Sequence, residues 1–142
     1  MPMSYPFSKE GFELIGAAFE VYNQTGYGMA EEVYQECLQI ELELRDIPYQ
    51  SKCQLSLAYK ERPLTRRYVP DLLVYSGIVV ELKSVKELVP SHEAQLFNYM
   101  RIAGVSVGYL INFGRKNDLE WKRYLLTDLH ANSTSRQLNR EH

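Results

Sequence analysis

Residues 66–85 read RRYVPDLLVYSGIVVELKSV. Two apolar runs flank a Ser-Gly turn, the pattern of a β-hairpin, yet Asp71, Glu81 and Lys83 interrupt the runs. Side chains alternate faces along a strand, so loop length decides which residues share a face. A two-residue loop at Ser76-Gly77 pairs Tyr75 with Ile78 and sets Asp71 opposite in face to Glu81 and Lys83. Each face then mixes ions with aliphatics, at roughly several kcal/mol per unpaired buried ion. A three-residue loop, Tyr75-Ser76-Gly77 with Gly77 left-handed in a bulge, pairs Val74 with Ile78, Leu72 with Val80 and Asp71 with Glu81. Leu72, Val74, Ile78, Val80 and Leu82 then form an apolar face, and Asp71, Leu73, Val79, Glu81 and Lys83 share the other. The second register separates the two chemistries and is the one expected; a bulge elsewhere in the hairpin would serve equally.

Adjacent carboxylates repel, which raises a pKa unless a cation stands between them. Lys83 partly fills that role. A divalent ion fills it better, because two carboxylates, a backbone carbonyl and waters make a typical magnesium shell. Taken alone, the hairpin fits a solvated charged face, with Lys83 paired to Glu81, somewhat better than a site.

The rest of the chain supplies the frame. The spacing predicts a helix over 8–24, capped by Ser8, with Phe12, Ile15, Phe19 and Tyr22 as its stripe. A second helix over 30–45 carries Val33, Cys37, Ile40 and Leu44, with Tyr34 and Leu38 alongside. A strand over 49–59, a polar turn at KERPLT, and the two hairpin strands follow. Pro90 opens a third helix that ends at Gly104, and strands at VSVGYLINF and EWKRYLL complete the domain. The order α-α-β-β-β-α-β-β argues a mixed sheet flanked by helices, an α/β (α+β) class.

At 142 residues this is one domain, placed at 1–126, with a polar and aperiodic tail over 127–142 expected to be flexible. The net charge of −2 provides no global basic field, so any nucleic-acid contact must come from a local groove. Cys37 and Cys53 lack metal-type spacing and read as free thiols of a reducing compartment. No apolar run reaches membrane-spanning length and no secretory leader is evident, so a cytoplasmic protein without membrane contact is expected.

Pro70-Asp71, followed after nine residues by Glu81-Leu82-Lys83, matches the signature of the PD-(D/E)XK nuclease superfamily. GMAEEVY, with Gly28, Glu31 and Tyr34, resembles the GxxExxY motif that names one branch of it. HEAQLFNYM, with Gln95 and Tyr99, is similar to the superfamily's QxxxY motif, and VGYLINFG at 107–114 resembles the branch's next strand. The resemblance covers about residues 8–126. It implies a helix, a three-strand meander, a helix and a further strand. It also implies cleavage of nucleic-acid phosphodiesters with Mg2+ or Mn2+. Asp71 and Glu81 would hold the metal with the Leu82 carbonyl, Lys83 would position the attacking water, and Glu31 would add a carboxylate. Gln95 and Tyr99 would orient the metal shell or the phosphate from the third helix.

The residues can also be read without that resemblance. Glu31 at a helix's first turn suits the helix dipole, and Gln95 and Tyr99, four apart, share a face as a core aromatic and its neighbour would. His92 lies on that face one turn earlier and is more simply a solvated helix start than a substrate contact. Arg66, Arg67 and Tyr68 are candidates for substrate binding, beside Lys60 and Arg62; a solvated charged turn explains them equally well. The rival function is a nuclease fold kept as a catalytically silent binding or assembly module. Cutting both strands of a duplex would call for a homodimer, and a protein partner could supply specificity.

Overall fold

The computed structural model describes residues 6–127 and 139–140. Its elements are α1 (Ser8–Thr25), α2 (Glu31–Leu44), β1 (Tyr49–Ser51), β2 (Leu55–Tyr59), β3 (Arg62–Tyr68), β4 (Leu72–Val74), β5 (Ile78–Lys83), α3 (Pro90–Ala103), β6 (Val107–Asn112), β7 (Glu120–Leu125) and β8 (Asn139–Arg140). The main sheet runs β1-β4-β5-β6-β7-β8, while among the described residues β2 and β3 pair only with each other. All neighbours are antiparallel except β5 and β6, whose parallel pairing uses α3 as the crossover.

The mixed α/β class holds, with the strands more finely divided than expected. The strand expected over 49–59 breaks where Lys52 turns left-handed at φ 53°. The KERPLT turn shrinks to Lys60-Glu61, both left-handed, and Arg62 onward is strand. The following run breaks at Pro70, which has no N–H to give a ladder. Of the tail expected over 127–142, only Thr127 and the β8 pair lie among the described residues.

The hairpin takes the register that separates apolar from charged residues: Leu72 pairs with Val80 and Val74 with Ile78. The left-handed residues of its turn, however, are Tyr75 (φ 55°) and Ser76 (φ 57°), not Gly77. Gly77 is required for space, since a Cβ there would stand 2.3 Å from the Phe7 ring. Tyr75 is held by its N–H on the Pro48 carbonyl (2.9 Å) and its hydroxyl on Glu13 (2.5 Å).

The sheet is covered on both faces. Leu72, Val74, Ile78, Val80 and Leu82 pack with α1 and α2, and Val79 and Leu110 pack with Leu96, Phe97 and Met100 of α3. α1 and α2 bury only part of their expected stripes, with Ile15, Tyr34 and Leu38 buried as expected. α1 buries Leu14, Ala17, Ala18 and Val21 beside Ile15, leaving Phe12 81% exposed and Phe19 exposed. α2 buries Tyr34, Gln35, Leu38 and Leu42 and leaves Val33, Ile40 and Leu44 exposed. Ser8 does not cap α1: Phe7 occupies the cap position, left-handed and without a side-chain bond. Cys37 and Cys53 are free and half-buried. Among the described residues, no helix is long and apolar enough to cross a membrane.

The α3 layer sits tightly on β6 at Gly108, where a Cβ would come within 2.5 Å of Met100 Sδ and 3.1 Å of a Leu96 methyl. Methionine can bend away from one carbon but not from a branched side chain. Gly108→Val is expected to lift α3 and lower unfolding stability by about 1–3 kcal/mol. Urea denaturation with an unchanged midpoint would show that the layer yields without cost.

Candidate active site

Asp71 and Glu81 meet across the strands at the open end of the hairpin. The Asp71 N–H donates to Glu81 Oε2 (2.7 Å), and the Leu82 N–H donates to Asp71 Oδ2 (2.8 Å). The parallel neighbour β6 and the α3 layer enclose Glu81, which is 4% exposed. Burial first, and the Asp71 charge second, push its carboxyl up to about 8, against the pull of Lys83 and Lys52. Without a further cation, burial and the neighbouring Asp71 charge favour the protonated form of Glu81.

Two lysines approach the pair from opposite sides. Lys83 leaves the end of β5 and donates to Gln95 Oε1 on α3 (3.0 Å); Gln95 in turn approaches the Tyr99 hydroxyl at 3.4 Å. Burial and then the Glu81 charge raise the Tyr99 phenol. Lys52 comes from the bend after β1, its ammonium 2.7 Å from Asp71 Oδ1 and its N–H on the Asp71 carbonyl (3.1 Å). Partial burial works against the Lys52 charge, but Asp71, Glu81 and Glu31 outweigh it and hold its pKa up.

Gln35 did not emerge from the sequence as part of the site, and Lys52 emerged only as one of several basic residues for a substrate groove, not as a partner of Asp71. The Gln35 side chain donates to the Asp71 carbonyl (2.9 Å) and to Gln39 (2.9 Å). Its signal was its place four residues after Glu31, on the same helix face. Lys52 had no signal beyond its charge, because its approach depends on a left-handed backbone.

The GxxExxY residues separate into holders and a carboxylate. Gly28 is left-handed (φ 85°) and donates to the Phe113 carbonyl (3.0 Å). Tyr34 is fully buried and stacks on Phe113 at 4.4 Å; its hydroxyl donates to Gly26 O (2.7 Å) and accepts from the Met29 N–H (3.1 Å). The loop so held starts α2 at Glu31, which lines a pocket with Gln35, Lys52 and Asp71. Glu31 faces the pair but does not join it: among the described residues, no three His, Cys, Asp or Glu side chains stand close enough to hold a metal ion. Two carboxylates are assembled, with a lysine ammonium against one of them.

The remaining candidates divide. Tyr68 lies edge-on to Tyr99 (centroids 6.5 Å apart), and the Arg66 guanidinium stands over the Tyr68 ring at 5.6 Å. Both reach the α3 side of the site. Arg67 turns back on its own strand, donating to the Leu64 and Thr65 carbonyls. His92 accepts the Val89 N–H at Nδ1 (3.1 Å) and so helps close the first turn of α3, with burial and Lys83 lowering its pKa.

Glu81 also fixes a stability trend. Its folded pKa, about 8, lies above the ordinary carboxylate value of about 4.3, so the folded state holds the extra proton between them. That contribution is complete below the lower value and lost as pH rises through the upper one. In chelator, the melting temperature is expected to fall between pH 5 and pH 8, and Glu81→Gln to remove most of that fall, roughly 5 °C or more. Thermal melts of both proteins check it, and parallel curves would assign the slope elsewhere.

Residues 8–124 match the family model of the PD-(D/E)XK nuclease superfamily. No curated protein and no solved structure matches the chain. The matched span runs from the start of α1 into β7 and contains Asp71, Glu81, Lys83 and all three helices. With that span added to the paired carboxylates at the open end of the β4–β5 hairpin, the chain belongs to the PD-(D/E)XK nuclease superfamily.

Proposed function

We propose that this protein is a divalent-metal-dependent nuclease of the GxxExxY branch, hydrolysing phosphodiester bonds of nucleic acids. The observation that carries the reading is the cross-strand Asp71–Glu81 pair, with Lys83 at the same strand end tied to Gln95. The donor set is hard oxygen, and Glu81 is short of positive charge where it stands, which fits Mg2+ or Mn2+. Asp71 and Glu81 would hold the ion with the Leu82 carbonyl, and Glu31 would add an outer carboxylate. The bound ion would polarise the phosphoryl oxygen and acidify water.

The chain's own residues do the rest. Lys83 positions the attacking water and offsets the negative charge that develops on the phosphoryl oxygens as the new P–O bond forms and the old one breaks. Gln95 fixes the Lys83 ammonium, and Tyr99 backs Gln95 from the next turn of α3. Arg66 and Tyr68 meet the flanking phosphate and sugar on the α3 side, with His92 at the start of that helix.

One observation favours a second reading, the silent binding module. Lys52 already satisfies Asp71 as a structural ion pair would. Metal titration separates the two. In the nuclease, binding favours release of a proton held by Glu81, so at pH 7 calorimetric heats change with the buffer's ionisation enthalpy. Apparent affinity then rises with pH and levels off near 8. Lys52→Met removes a competing ammonium and tightens binding about tenfold. In the silent module neither protein binds Mg2+ or Mn2+, even at millimolar concentration.

Cleavage is read beside binding, on single- and double-stranded DNA and RNA. Asp71→Asn and Lys83→Met are each expected to lower the rate by at least about 100-fold while keeping the fold. Undiminished cutting by either variant would remove the site from the chemistry.

A further inference from the structure

Among the described residues, the strands of the β2–β3 hairpin pair only with each other, and every residue from Ser56 to Arg67 is exposed. An isolated two-stranded ribbon is marginal in water, so this one depends on its base, where Tyr68 meets Tyr99 of α3. We infer that this ribbon is a substrate arm that enters the major groove of B-form duplex DNA. The inference rests on the nuclease reading and deepens it by naming the substrate class.

Charge gives the first argument. The ribbon carries Lys60, Arg62, Arg66 and Arg67 against Glu61 alone, although the chain as a whole is net −2. The opposite wall of the site is acidic, with Glu31, Glu32 and Glu36 of α2 lining the pocket beside Asp71. A polyanion is repelled from the α2 side and drawn to the ribbon side, which settles the direction of approach.

Shape gives the second. The major groove of B-DNA is about 12 Å wide and admits a two-stranded ribbon, whereas the A-form groove of duplex RNA is too narrow. From Tyr68 to the turn at Lys60-Glu61 the arm spans about 23 Å at the usual strand rise. That distance corresponds to about seven base pairs beyond the carboxylates. A stiff duplex can meet the site and the distant tip at once, while a flexible single strand would have to be ordered over the whole length. The arm offers few platforms for successive unstacked bases: Tyr59 is its one strongly exposed aromatic, and Lys60 stands over that ring. The Lys60 ammonium and the Arg62 guanidinium at the tip instead suit phosphates and guanine edges.

The test uses the full chain with Asp71→Asn to prevent cutting. Fluorescence anisotropy compares DNA duplex of about 20 base pairs, the matching single strand, and an RNA duplex across a salt series. DNA duplex is expected to bind at least about tenfold tighter than either competitor. Adding Lys60→Gln with Arg62→Gln at the tip lowers duplex affinity about tenfold or more and reduces the salt slope by about two. Metal-binding heats in the Asp71-containing tip variant serve as its folding control. Equal or tighter binding of single strand or RNA duplex, or an unchanged tip variant, overturns the arm assignment. Wild-type cleavage that persists beside such a result leaves the nuclease reading standing. A tip effect in a protein that neither binds metal nor cuts would leave the arm standing and remove the nuclease.

Discussion

The site and the layers both depend on the pair of backbone-to-carboxylate hydrogen bonds that closes the β4–β5 hairpin. Asp71 gives its N–H to Glu81 and takes the Leu82 N–H on its own carboxylate. These bonds act as two extra rungs beyond the last strand pair, Leu72 with Val80. They hold a register that sends Leu72, Val74, Ile78, Val80 and Leu82 to the α1–α2 side as one apolar face. A slip of one residue would turn one strand over against the other, setting Asp71 on the opposite face from Glu81 and mixing charge with aliphatics on each face. The bonds that build the site thus also select the fold.

That economy has an electrostatic cost. Glu81 lies beside the parallel strand β6 and is largely withdrawn from water. A buried acid beside a second acid is held near its neutral form, and the burden falls on the cations around it. Lys83 is fixed by Gln95 on one side. Lys52 is fixed on the other by a double hold on Asp71, main chain to main chain and ammonium to carboxylate. Its left-handed backbone is what lets a residue at the end of an edge strand reach back over the hairpin. This is strain stored where charge must be balanced rather than where packing needs it.

The parts legible in the sequence were those set by a short-range rule. The hairpin register followed from period-two alternation, and α3 from Pro90 and Gly104, which is left-handed at the helix end as expected. Asp71, Glu81, Lys83 and Gln95 come together because they lie on elements so placed. The faces of α1 and α2 were only partly legible: Ile15, Tyr34 and Leu38 are buried as expected, but two stripes compete at the same helical spacing. Phe12 and Phe19 outweigh Ala17 and Ala18 in hydrophobicity, yet the small residues allow the closer approach to the sheet and are the ones buried. On α2 the choice was made by Tyr34, whose stack on Phe113 turns Gln35 inward and Val33 outward. Lys52 and the separate β2–β3 ribbon depend on positive φ angles at Lys52, Lys60 and Glu61, residues whose side chains give no warning of them.

The same rotation of α2 explains why the GxxExxY residues form one unit although only Glu31 faces the pocket. Tyr34 cannot stack on Phe113 unless the loop at 26–29 folds under it, and that loop needs a left-handed residue at Gly28 to reach the Phe113 carbonyl. Phe113 itself is the residue after β6, the strand that encloses Glu81, and its N–H bonds the Lys83 carbonyl (2.8 Å). The position of Glu31 is therefore tied through Tyr34 and Phe113 to the end of the strand that carries Glu81 and Lys83. A displacement of the loop moves the acidic wall and the Lys83 backbone together, so the distance between α2 and the carboxylate pair is set by packing and not by charge. Like-charged groups can then face one another across the pocket without being driven apart, and they remain available to a cation that enters between them.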